Sequence, residues 1–163
     1  MITPLGKFAA LIDRASYWGV VIALGIMTAL VTAQVVMRYG FNSSIDSADE
    51  LSRLFFVWSI FLAIPHGVKY GTHVGIDLLV SQLGASKKDA VFRWVSVASV
   101  LLMIVVLYAA IIATIDKWPE LMPTLNFTAA VYYIPILICA GHSLIHLVIQ
   151  AVSGQSSIVR DEF

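Results

Sequence analysis

The chain has 163 residues, of which 60% are apolar and 12% charged, and its formal net charge is zero. Soluble domains carry about 45–50% apolar and about 25% charged residues, so this composition implies an integral membrane protein. The neutral balance offers no basic stripe for neutralising phosphates, which excludes nucleic acid as an expected partner. Cys139 stands alone, so no intramolecular disulfide can form, and its apolar neighbours suit a small buried hydrophobe. Neither a linker-like Gly, Ser or Pro run nor an internal repeat divides the chain, and a single membrane domain over residues 1–163 is expected.

A spanning helix needs roughly 20 mostly apolar residues. Residues 15–37 supply the first: 23 residues without a charge between Arg14 and Arg38. That length exceeds the 7–15 apolar residues of a signal peptide, so a retained helix is expected despite a loose cleavage-like Val31-Thr32-Ala33. Tyr17, Trp18 and Tyr39 are placed as interfacial anchors, and the turn residues from Gly40 to Ser44 end the helix.

Residues 47–70 form the second expected span. Ser47-Ala48-Asp49-Glu50 fits a capping box, with Glu50 reaching back to the cap, and the acidic first turn suits the helix dipole. Arg53 can pair with Glu50 or snorkel to the interface. Trp58 lies about 16 Å along the helix from Ser47, too deep for an aromatic belt, which favours packing on another helix. Pro65 is a candidate kink. Beyond it, Ile76, Leu79, Val80 and Leu83 mark one face of a short helix over residues 74–83, too short to span and expected to lie in the interfacial plane.

The third span is expected over residues 90–116, uncharged from Trp94 to Ile115, and Pro119 and Pro123 prevent the helix from continuing through the next loop. The fourth is expected over residues 126–152, with Pro135 as a kink inside it and Cys139-Ala140-Gly141 as a small face for close helix approach. The fold class is therefore all-α integral membrane, with four transmembrane helices plus a short interfacial amphipathic helix between the second and third. Seven lysines and arginines fall at the termini and between spans two and three, against three on the other side. The positive-inside rule then puts both termini in the cytoplasm.

No Asp, Glu, Lys or Arg occupies the middle of any span, so a solute path built by this chain alone is not expected. His142 and His146 share a helix face at i, i+4, and His66 lies at the same depth on the antiparallel second span. A bis-histidine b-haem between the two spans is one reading; neutral histidines bonded to backbone, headgroups or neighbouring helices are the other. His73 and Asp77 form a second i, i+4 pair, with too few ligands for a metal, which suits a helix cap or a partner contact. Asp49, Glu50 and Arg53 read equally as a solvated first turn and as a docking cluster. Nothing resembles a nucleophile–base pair, a phosphate loop or a cysteine-rich metal pattern, so no catalytic residue, cofactor or metal is expected and the chain does not read as an enzyme.

Arg38-Tyr39 with Phe41, then Glu50-Leu51-Ser52-Arg53, Trp58 with Phe61-Leu62, and His73 with Ile76-Asp77-Leu78-Leu79 occur in an order that resembles the small membrane subunit of tripartite ATP-independent periplasmic (TRAP) transporters, the DctQ-like family. Ala63-Ile64-Pro65 departs from the small Gly-Ala pair that many members carry at this point. The resemblance implies a subunit of the bacterial inner membrane, partnered by a large multi-span TRAP membrane subunit, membrane lipids and, through the complex, a periplasmic substrate-binding protein. It implies a non-catalytic scaffold role in sodium-coupled import of a carboxylate-bearing solute. Arg38, Asp49, Glu50, Arg53, Trp58, His73 and Asp77 are the partner-interface candidates. A b-haem or quinone-linked anchor of a redox enzyme is the alternative, carried by His66, His142 and His146.

Overall fold

A computed structural model describes residues 4–69 and 85–153. The expected interfacial helix over residues 74–83, with His73 and Asp77, lies outside the described residues. Four long helices succeed one another: α1 (Pro4–Gly40, 37 residues), α2 (Ala48–Lys69, 22 residues), α3 (Ala85–Asp116, 32 residues) and α4 (Ile134–Ser153, 20 residues). A 3-10 turn, Ala129–Tyr132, leads into α4. Among the described residues four segments are long and apolar enough to cross a membrane, the last made of this turn and α4 together. Among the described residues there is no strand beyond an isolated bridge between Leu121 and Thr128.

α1 is longer than the uncharged run in the sequence because nothing in Pro4–Arg14 breaks a helix once Pro4 occupies its first position, where a missing N–H costs nothing. At about 1.5 Å per residue it is roughly 55 Å long, well beyond a bilayer's hydrocarbon thickness of about 30 Å. Its other end stops where the turn chemistry is expected. Asn42 adopts a left-handed backbone (φ 52), tolerable for a short polar side chain, and the Ser43 N–H closes on the Met37 carbonyl at 3.1 Å. The Gln34 side chain accepts the Ile45 N–H at 3.1 Å and ties the connection to α2.

The helices pack chiefly as a row, α1 on α2, α2 on α4 and α4 on α3, with a smaller contact between α1 and α4. Small or polar residues make the α1–α2 seam: Ala9, Asp13, Ser16 and Ala23 are buried, and the Ser16 hydroxyl donates to the Leu62 carbonyl at 2.7 Å. A Cβ on Gly19 would lie 3.0 Å from Leu62 Cδ1, a tight contact that a larger side chain could make only if the Leu62 side chain shifted. The row has a centre and two flanks. In the most apolar stretch of the last span 39% of residues are buried, against 6% for α1 and 11% for the α3 segment. Ala130, Pro135, Cys139, Ala140, Ser143 and Leu147 form that centre. α1 and α3 instead leave Val21, Ile22, Leu101, Leu102, Val105 and Ile112 exposed, the composition expected against lipid or another membrane protein.

The fourth span differs from a helix beginning at Asn126. Residues 117–128 form a cross-linked loop: the Met122 N–H donates to Phe127 O and the Ala129 N–H to Glu120 O, both at 2.8 Å. Thr128 donates to the Trp118 carbonyl at 2.8 Å and accepts the Ala130 N–H as the cap of the 3-10 turn. Glu120 at 2.6 Å, with Asp116 at 3.9 Å, holds the exposed Lys117 ammonium protonated beyond its usual range. Pro135 is then the second residue of α4, a first-turn position that helices accept, instead of a kink inside it.

Candidate functional site

Two polar assemblies occupy opposite ends of the helices, one where α2 begins and one where it stops. At the end where α2 begins, Glu50 turns toward the loop after α3 instead of back to its own cap. Its Oε2 accepts the Thr124 N–H at 2.8 Å and the Thr124 hydroxyl, while its carbonyl accepts from the Tyr132 hydroxyl at 3.1 Å. Trp58 does pack on another element: its indole N–H donates to the Val131 carbonyl at 3.1 Å. Those residues lock the α2, loop and α4 junction.

The remaining interface candidates on the described residues stay open to the outside. Arg38, in the last turn of α1, lines an open recess of about 430 Å³ with Gln34, Ser44, Asp46 and Asp49. Asp49 also borders a second recess of about 370 Å³ with Arg53, Ser52, Phe56, Met27 and Val31. Arg38, Asp49 and Arg53 thus sit along one continuous rim through the shared Asp49, whereas Glu50 and Trp58 are committed inside the chain.

The other end holds a buried ionic cluster. Asp13 of α1, His142 and His146 of α4 are 8%, 3% and 6% exposed. Asp13 Oδ1 lies 2.8 Å from His142 Nε2 and 2.8 Å from His146 Nε2, and the two nitrogens are 3.2 Å apart. The Lys69 ammonium, at the last residue of α2, donates to the other carboxylate oxygen at 2.9 Å. His66 stands one turn earlier on α2, its ring 6.1 Å from that of His142 and perpendicular to it. Three helices therefore converge on one carboxylate. A carboxylate has about four lone-pair sites, and both imidazoles satisfy it here by donating Nε2–H. Buried His66 Nε2 and His142 Nδ1 have no hydrogen-bond partner among the described residues.

The histidine spacing on α4 and the depth of His66 are legible in the sequence; Asp13 and Lys69 are not singled out by it. Asp13 precedes the uncharged run, where a flanking charge ordinarily reads as interfacial, and its partners are 56 to 133 residues away. The b-haem alternative gains nothing from this geometry. A macrocycle across the His142 Nε2 axis would need the space in front of that nitrogen, which Asp13 Oδ1 and His146 Nε2 fill.

Comparison with known proteins covers most of the chain. The family described as "Tripartite ATP-independent periplasmic transporters, DctQ component" matches residues 27–156. A protein of Haemophilus influenzae named as a TRAP transporter small permease is 28% identical over 134 residues, covering 82% of this chain and 81% of that protein. A second protein of that organism with the same name is 42% identical over 60 residues, 37% of each chain. The C4-dicarboxylate TRAP transporter small permease protein DctQ of Vibrio cholerae is 35% identical over 86 residues, 50% of this chain and 37% of that one. Lys69, His66, His142 and His146 fall inside the family match, whereas Asp13 lies ahead of it.

Proposed function

The chain belongs to the DctQ component family of tripartite ATP-independent periplasmic transporters, the small permease subunits of a multi-component membrane transporter, and we propose that it braces the large membrane subunit of a sodium-coupled importer of a carboxylate-bearing solute. The carrying observation is the distribution of charge. No charged side chain lies between Arg14 and Arg38, between Arg53 and Lys69, between Arg93 and Asp116, or from Ala129 to Val148. A solute and ion pathway needs polar lining at the bilayer midplane, so the pathway belongs to the partner and this chain supplies helix surface. α1 and α3, the flanks of the row, carry the apolar faces suited to that contact and to lipid.

The lysine and arginine distribution favours cytoplasmic termini in a bacterial inner membrane, which sets the Asp13 cluster at the cytoplasmic end and the Glu50–Thr124 junction at the periplasmic end. The Vibrio cholerae relative's name specifies C4-dicarboxylates, and a solute of that class is the first to try here. A periplasmic binding protein would meet the complex on the side of the Arg38, Asp49 and Arg53 rim.

Co-expression with the large membrane subunit and affinity capture in mild detergent tests the reading. A complex surviving size-exclusion chromatography is expected, and Asp49→Ala with Arg53→Ala should reduce recovery of the partner several-fold while the chain's membrane level is unchanged. Full recovery of the partner with that double variant would leave the rim with only its role in the first turn of α2.

A further inference from the structure

We propose that Asp13, His142 and His146 form a binding site for a divalent transition metal ion of the zinc class, closed by Lys69 when no metal is bound. Such a site goes beyond the scaffold role and does not depend on it.

Three ligand atoms of the types such ions take, one carboxylate oxygen and two imidazole Nε2 atoms, lie within 4.8 Å of one another, and all three residues are buried. Two histidines at i, i+4 on a helix present their nitrogens to one point, the spacing used by helical zinc sites. Zinc binds nitrogen and oxygen at about 2.0–2.1 Å, so two tetrahedral ligands stand about 3.3 Å apart. The 3.2 Å between His142 Nε2 and His146 Nε2 already meets that, and the 2.8 Å from each to Asp13 Oδ1 needs to open by only about half an ångström. Three protein ligands leave a fourth position for water, and their nitrogen and carboxylate character suits zinc over magnesium or calcium.

The hydrogen-bond pattern supports the same reading. Without a metal, two N–H groups 3.2 Å apart both aim at a single oxygen, and the second oxygen is held by the Lys69 ammonium. For a metal to take the Nε2 lone pair of each neutral imidazole, the ring proton moves to Nδ1, on His142 an atom with no hydrogen-bond partner among the described residues, and the ion then draws on lone pairs of all three ligands. Lys69 is the competing cation: its side chain is 39% exposed, so its ammonium can withdraw toward solvent while Asp13 turns to the ion. A purely structural ion pair would not be improved by loss of its lysine, whereas a metal site would.

The test uses the full-length, tag-free chain in detergent. Competition with a chromophoric chelator should give one Zn²⁺ per chain with micromolar or tighter affinity, and Co²⁺ should give visible absorption bands of a nitrogen- and oxygen-ligated site. His142→Gln and His146→Gln should each weaken Zn²⁺ binding on the order of 100-fold or more, because even outer partners of metal ligands are worth 10–100-fold. Lys69→Met keeps the apolar stem and should tighten binding about tenfold by removing a nearby positive charge, with a larger Zn²⁺-induced rise in melting temperature than in the unmodified chain. Glu50→Gln, at the opposite end, should leave Zn²⁺ affinity unchanged. The Lys69→Met arm keeps the proposal falsifiable should the histidine variants lose helicity by circular dichroism. Absence of saturable Zn²⁺ binding, binding indifferent to both histidines, or a Lys69→Met variant that gains neither affinity nor metal-dependent stability would overturn it. Capture of the large subunit reads the scaffold role separately from each of these results.

Discussion

Asp13 accepts from side chains of two other helices, and its environment gives its substitution a definite cost. Asp13→Asn keeps the shape but removes the charge facing Lys69 and leaves one amide oxygen to receive both imidazoles. Breaking a buried pair costs about 3–5 kcal/mol, and the partial exposure of Lys69 reduces that to about 1–3 kcal/mol here. Thermal unfolding in detergent, followed by circular dichroism, should show the loss; an unchanged midpoint would mean that the cluster contributes nothing to the fold. Part of this site is visible in sequence, since i, i+4 spacing is a local pattern and His142 and His146 share a face for that reason alone. Asp13 and Lys69 are visible only once helices separated by more than fifty residues are set side by side. Periodicity carries no information about which charge at one helix end will meet another.

At the scale of elements, the α1–α2 seam is tight where Gly19 faces Leu62. Gly19→Val puts branched volume where a Cβ alone would stand 3.0 Å from Leu62 Cδ1. Overpacking of this kind costs about 1–3 kcal/mol, and a melt of the isolated chain should register it, while Gly25→Val, with open space around it, should be near neutral. The loop after α3 makes a second case. Glu50→Ala removes the acceptor for the Thr124 N–H and hydroxyl, so backbone exchange at residues 120–128 should speed up with little effect on the centre of α4. Equal protection in both proteins would show that the loop is held by its own internal bonds. The helices themselves are readable because each is a long apolar run. The fourth begins later than Asn126 because Thr128 is a better cap in context: its hydroxyl donates to Trp118 O and accepts from Ala130 N at once. The sequence supports a helix from either position, and the bridge from Leu121 to Thr128 decides. The capping box at Ser47 lost Glu50 to Thr124 for a similar reason, a distant donor outcompeting a local one.

At the scale of the whole molecule, the described helices form a row with one buried centre, α4, and two broad apolar flanks, α1 and α3. Composition alone makes it a membrane protein, and the succession of motifs from Arg38 to Leu79 carries the family resemblance. The row arrangement is not legible in the same way, because α1, α2 and α3 are apolar nearly all round and offer no stripe to say which side meets a neighbour. A row exposes more helix surface than a closed bundle of the same four helices. The middles of the spans carry no charge, which fits the proposed scaffold role. Proteoliposomes test this most directly. With an inward sodium gradient, the binding protein and a labelled C4-dicarboxylate outside, vesicles holding this chain alone should show uptake no greater than empty vesicles, and those holding it with the large subunit should accumulate solute. Sodium-driven accumulation by this chain on its own would contradict the scaffold role.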